Sequence, residues 1–214
     1  AFTTNGLVNG ETIGSVTITY GAGSAATDAV GTYTGTVTAS APAGGTFTAS
    51  NYSIFYAAGN IIVGTKALTI TASAASKTYG TVASLTAYTT SGLVGTDAVS
   101  GLTLSSTGTA ATAAIGTYNI VPSGATGTGL TNYAITYTNG TLTVNQAPLT
   151  ITATNQSKCF GLNLSLPANG YSVSGLLNGD VVSSVTLSSA GATGTAAINT
   201  YPITISNATG TGLT

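Results

Sequence analysis

Apolar and hydroxyl side chains alternate in short runs along this chain. Leu68, Ile70 and Ala72 share one parity, with Thr69 and Thr71 on the other. The same alternation runs through Leu102 and Leu104, Tyr118 and Ile120, Val185 and Leu187, and Tyr201, Ile203 and Ile205. It also runs through Val16, Ile18 and Tyr20. A period of two describes a strand with one buried and one wet face. Each group therefore predicts a one-sided antiparallel sheet. The clearest pair of strands is Tyr133-Ala134-Ile135-Thr136-Tyr137-Thr138 and Thr141-Leu142-Thr143-Val144. Asn139-Gly140 between them predicts a type I′ hairpin. Residues 92–99 and their counterparts alternate poorly, and read as a tight loop or one helical turn crossing the sheet. Helix content otherwise is expected to be very low.

The runs recur. Leu68-Thr69-Ile70-Thr71-Ala72 returns as Leu149-Thr150-Ile151-Thr152-Ala153. Ser76-Lys77-Thr78-Tyr79-Gly80 returns as Ser157-Lys158-Cys159-Phe160-Gly161. Ser91-Gly92-Leu93-Val94-Gly95-Thr96-Asp97 has counterparts at residues 174–180 and 5–11, where Asp180 and Glu11 replace Asp97. Tyr33, Tyr118 and Tyr201 follow matching Gly-Thr or Asn-Thr pairs, and Tyr52 matches Tyr133. Self-similarity at a fixed period is the signature of a repeat architecture. Three copies result: a partial repeat over 1–64, a complete one over 65–145, and a partial one over 146–214. The simplest expectation is a window of a longer tandem array. The joins, Gly64-Thr65-Lys66 and Gln146-Ala147-Pro148, are too short to be flexible linkers, so a semi-rigid rod is expected.

Composition narrows the chemistry. Of 214 residues, seven are charged: Lys66, Lys77, Lys158, Glu11, Asp28, Asp97 and Asp180. Three lysines and no arginine make no basic footprint for nucleic acid. Without His, and with a single Cys, the usual zinc site and every His-dependent nucleophile are excluded. No enzyme activity and no cofactor are expected. The 44 Thr favour strands and the 29 Gly favour turns. Apolar stretches are only a few residues long, far below the ~20 of a membrane span. The first residues have neither the basic region nor the apolar core of a signal peptide. A surface of Thr, Ser and Asn suggests an extracellular setting.

Taken together, Leu-Thr-Ile, Lys-x-Tyr-Gly, Ser-Gly-Leu-Val-x-x-Asp, Gly-Thr-Tyr, Asn-Tyr-x-Ile-x-Tyr and Gly-Thr-Leu-Thr-Val, carried by residues 68–144, resemble the MBG-type repeat of large bacterial surface proteins. That resemblance implies tandem stalk repeats of secreted adhesins or gliding-motility proteins. It implies no catalytic residues. The fold class expected is all-β, built of small tandem antiparallel domains. Each would be an immunoglobulin-like sandwich or a β-grasp-like sheet with at most one short helix.

Several residues invite a chemical role. Lys77 and Lys158 recur, as do the acids, so an intramolecular Lys–Asn or Lys–Asp crosslink is one reading; a partly buried ion pair or capping carboxylate is the plainer one. Asp97 and Asp180 would anchor a calcium site, although Ca²⁺ takes six to eight oxygens and each copy has only one or two acids. Cys159 reads as a small buried hydrophobe. The recurring tyrosines read as core with the hydroxyl reaching the surface, rather than as a carbohydrate platform. Asn51, Asn139, Asn155, Asn163 and Asn207 begin Asn-x-Ser/Thr triplets, which chance explains in so Thr-rich a chain. The segment containing Pro42 and Phe47 differs most between copies and is the expected ligand loop. A structural spacer is the leading expectation. Its partners would be neighbouring repeats or copies of the same protein. A module binding surface glycans or a host substratum is the alternative, and a filament subunit joined by strand exchange is a variant of the first.

Overall fold

The computed structural model describes residues 1–213; Thr214, which ends the third copy's Thr-Gly-Leu-Thr motif, lies outside them. The chain is all-β. Repeat 1 holds β1 (Ile13–Tyr20), β2 (Gly31–Gly45) and β3 (Gly59–Val63). Repeat 2 holds β4 (Lys66–Ala72), β5 (Ala75–Thr78), β6 (Tyr88–Ser91), β7 (Ala98–Ser105), β8 (Gly116–Thr128), β9 (Tyr133–Thr138) and β10 (Gly140–Asn145). Repeat 3 holds β11 (Thr150–Ala153), β12 (Tyr171–Ser174), β13 (Val181–Ser188) and β14 (Thr204–Thr211). The only helical pieces among the described residues are single 3₁₀ turns at Ala49–Asn51, Thr107–Thr109, Leu130–Asn132 and Ala190–Ala192. No α-helix occurs among the described residues, within the expectation of at most one short helix per repeat; repeat 2 carries two of the 3₁₀ turns. Residues 92–97 form a turn and no helix.

Repeat 2 departs from the one-sided antiparallel expectation. It has two sheets, of strand order β6-β4-β9 and β5-β10-β8-β7. Two of the pairings are parallel: β4 with β9, and β5 with β10. The expected hairpin does not form. β9 and β10 follow each other in sequence but lie in different sheets, and Asn139 lacks the left-handed backbone that a type I′ turn requires. A two-residue loop would set Tyr137 opposite Leu142 on one face, so the local pattern fits a hairpin as well as it fits a crossing between sheets. The start of the repeat decides between them. There β4 passes into β5 through Ser73-Ala74 in the same way. The buried parity changes along both chains, from Leu68, Ile70 and Ala72 to Lys77, and from Tyr133 to Leu142 and Val144. A change of parity sends side chains to the opposite face. Because both strands change together, they stay in register: Lys66 faces Tyr133 and Ala75 faces Leu142, an offset of 67 residues in both sheets.

The largest fully buried side chains, Leu68, Ile70, Ile120, Leu142 and Val144, all belong to repeat 2. Leu68, Ile70 and Tyr133 form a cluster flanked by Tyr88, Leu93, Val99 and Ile135. Tyr20, by contrast, is exposed despite its place in the alternation. Three tyrosines repeat one device. Tyr33, Tyr118 and Tyr201 donate to the carbonyls of Ala29, Ala114 and Ala197, each four residues upstream, at 2.8, 2.8 and 3.1 Å. The Tyr118 ring lies on Gly108, where a Cβ would come within 2.6 Å of it, and Tyr201 lies likewise on Gly191. In repeat 2 this ties the start of β8 to the 3₁₀ turn before it.

The chain divides into two compact units. One comprises residues 1–72, 88–103 and 122–138, the other 73–87, 104–121 and 139–214. The division cuts repeat 2 through β7 and β8. The first unit therefore joins repeat 1 to part of repeat 2, and the second joins the remainder to repeat 3.

Candidate functional site: tyrosine–carboxylate clasps

The recurring acids sit in the Gly-Leu-x-x-Gly/Thr-acid loops. In each loop the acid's own N–H closes a turn onto the carbonyl three residues back: Glu11 to Val8, Asp97 to Val94, Asp180 to Leu177. In repeats 1 and 2 the carboxylate then meets a tyrosine that recurs in register. Tyr133 Oη donates to Asp97 Oδ2 at 2.7 Å and accepts the Val94 N–H at 2.8 Å. Tyr52 Oη donates to Glu11 Oε2 and accepts the Val8 N–H at 3.2 Å. One hydroxyl thereby fastens both the backbone and the side chain of its loop. The tyrosine sits at the start of β9 in repeat 2, so the clasp ties the loop to the last strands of the repeat.

The environment favours the protonated phenol. Burial, and then the hydrogen bond to Asp97, raise the Tyr133 pKa above its ordinary value of 10.0. For Tyr52 the hydrogen bond to Glu11 is the leading cause of a similar rise. A phenolate facing a carboxylate would lose its donated bond and gain a like charge.

Asp97 and Asp180 are also covered by glycines. A Cβ on Gly129 would fall 2.0 Å from Asp97 Oδ1, and one on Gly212 would fall 2.2 Å from Asp180 Oδ1. Gly129 and Gly212 have φ of 72° and 74°, so these positions need glycine on two counts. Among the described residues no three His, Cys, Asp or Glu side chains gather as a metal-binding group. The fit to Ca²⁺ is poor, since each acid is alone and Asp97 is already engaged by Tyr133.

The other sequence candidates lie apart from the clasps. Lys77 is 7% exposed, and its ammonium donates to the carbonyls of Thr81 at 2.8 Å and of Ala110. Its counterpart Lys158 is half-buried. Lys158 is the one charged side chain lining an open cleft of about 740 Å³ between residues 155–160 and 196–203. That cleft corresponds to the slot that β10 fills in repeat 2. Cys159 is a free thiol and is exposed, contrary to the expectation of a buried hydrophobe.

The ligand-loop expectation meets a different geometry. Residues 41–45 are part of β2, not a loop, and pair with β1 through Ser15–Ala43 and Ile13–Gly45. Ala41, at φ 48°, sits where the register shifts. Gly124 and Asn207, eight residues into their own segments, adopt the same left-handed form at 62° and 51°. Repeat 1 has two residues more than the other copies between Gly31 and Ala41, and they fall where β2 shifts register against β3, between Tyr33 and Val37. Pro42 and Phe47 are half-buried, and the Phe47 ring lies 6.5 Å from that of Tyr52.

The recurrence of the acids and that of the tyrosines, each taken alone, do not show the clasp. Their common recurrence is the signal: Glu11 with Tyr52, and Asp97 with Tyr133.

No helix among the described residues is long and apolar enough to cross a membrane. No curated protein and no solved structure matches the chain. A family model described as MBG domain (YGX type) matches it twice, over residues 68–143 and 149–212. Those two spans make up more than half of the sequence, and the chain belongs to the MBG domain (YGX type) family.

Proposed function

We propose that this chain is a non-catalytic, load-bearing spacer: tandem repeats of a large extracellular protein, holding a distal element away from the surface that bears it. The observation that carries the reading is the parallel pairing of the first and last strands of repeat 2. β4 and β9 share six residue pairs and β5 and β10 share four. Tension enters a repeat at the beginning of its first strand and leaves at the end of its last. When those strands are parallel neighbours, the load runs along them in shear. All the bonds of the ladder then resist together, rather than opening one at a time. The short join between the two matched spans supports the same reading, because residues 144–148 leave no slack for a linker.

Low charge suits a spacer too. With a net charge of −1, little repulsion opposes side-by-side association of neighbouring shafts. A secreted adhesin or gliding-motility shaft is the setting in which such repeats would serve. The test is single-molecule stretching of the 214-residue chain between its ends. A discrete high-force release of repeat 2 is expected; smooth extension at low force would defeat the proposal.

A further inference from the structure

Repeats 2 and 3 touch within one compact unit, and the contact is specific. Gly80 ends the Lys77-Thr78-Tyr79-Gly80 element with φ of 88°. A Cβ there would lie 2.4 Å from Leu177 Cδ1. Leu177 belongs to the Gly175–Asp180 loop of repeat 3. The next residue, Asn178, donates from Nδ2 to the Ala111 carbonyl at 3.1 Å. That carbonyl also accepts the Gly80 N–H at 3.0 Å. A single backbone oxygen therefore receives one bond from its own repeat and one from the next. Asn178 reaches it from a left-handed backbone with φ of 54°.

Repeat 3 supplies an internal comparison. Gly161 is the counterpart of Gly80 and has the same backbone, φ 89°. Nothing among the described residues lies within 4 Å of a Cβ placed on it. The turn alone thus asks for a left-handed residue. Empty space above the α-carbon is needed only where another repeat's loop sits.

We propose that the glycine of the Tyr-Gly element is a socket for the next repeat's Gly-Leu-Leu-Asn-Gly-Asp loop, and that this contact fixes the angle between successive repeats. Leu177 fills the socket and Asn178 sets the direction. The acid of the same loop stays with its own repeat, so one short loop serves both internal closure and coupling. The inference deepens the spacer reading and rests on it for its purpose, but its test reads geometry and not tension.

The experiment is a distance distribution between spin labels in the full chain. One label is placed on the native Cys159 in repeat 3 and the other on Ser105→Cys in repeat 2. Gly80→Ala and Gly161→Ala impose the same backbone strain, and only the first obstructs the socket. Gly80→Ala is expected to broaden or shift the distribution, and Gly161→Ala to leave its width unchanged. Leu177→Ala, which leaves the repeat 2 turn intact, is expected to broaden it as well. An unchanged distribution in Leu177→Ala, or equal broadening in both glycine variants, would overturn the proposal. Should Gly80→Ala fail to fold, the Leu177→Ala result decides alone. Loss of the socket with retained high-force release would leave the spacer reading standing, and the reverse would remove that reading alone.

Discussion

Leu142→Ala tests the arrangement of repeat 2 at its most enclosed point. Leu142 is fully buried in β10, with Tyr118 opposite on β8 and Ala75 opposite on β5. Removing its isobutyl group loses transfer energy of roughly 1.5–3 kcal/mol for a buried leucine side chain. The cavity left behind adds to that, bringing a fully buried Leu→Ala change to about 3 kcal/mol. For a module of this size each kcal/mol moves the midpoint by roughly 4–8 °C, so a fall of about 12–24 °C is expected. Thermal and urea unfolding followed by far-UV circular dichroism would measure it. Val144→Ala, one pleat further and equally enclosed, should behave similarly but more mildly. Thr141→Ala, on the exposed face of the same strand, should change little. A cost below about 1 kcal/mol for Leu142→Ala, within the range of ordinary surface changes, would refute the placement of β10 between β5 and β8.

Three further outcomes follow from the same geometry. Raised phenol pKa values at Tyr133 and Tyr52 mean that the folded state prefers the protonated hydroxyl, so the clasps contribute fully below pH 10 and are lost as pH climbs through the raised folded values; unfolding midpoints measured from pH 8 to 12 should decline at the alkaline end, and less so in Tyr133→Phe, whereas an equal decline would contradict the clasp. Gly108→Ala should push the Tyr118 ring off its seat and cost about 1–3 kcal/mol by overpacking, which denaturant titration would read. Lys77→Met should strip the carbonyls of Thr81 and Ala110 of their shared donor and cost about 1–3 kcal/mol; a neutral result would mean that water replaces the ammonium.

Much of the strand content was legible because Thr alternates with Leu, Ile and Val in short runs. Leu68 to Ala72 and Val181 to Ser188 form strands as the alternation implies. The order of pairing was not legible around Asn139. A local pattern sees only that Tyr137 and Leu142 suit one face, and both a hairpin and a crossing between sheets satisfy that. The parallel partners that decide the matter lie 67 residues earlier, beyond the reach of any local reading. Cys159 illustrates a second limit. Its counterpart Thr78 lies in β5, which is held by β10, whereas residues 156–159 have no pairing strand among the described residues. The Pro42 segment shows a third. Length variation reads as a loop in sequence, yet β2 takes up two extra residues at its register shift between Tyr33 and Val37 and continues to Gly45. The clasps were half legible: each partner recurs visibly, but only the fold brings Asp97 to Tyr133.

The most direct test of the central claim compares two pulling directions on one repeat, in a Cys159→Ser background. Handles at Lys66→Cys and Asn145→Cys load the parallel strands in shear. Handles at Lys66→Cys and Thr131→Cys sit at the same end of β4 and β9, and peel them apart bond by bond. A load-bearing spacer predicts a rupture force several-fold higher in the first geometry. Equal forces in the two geometries would contradict it, because the parallel pairing would then have no mechanical consequence.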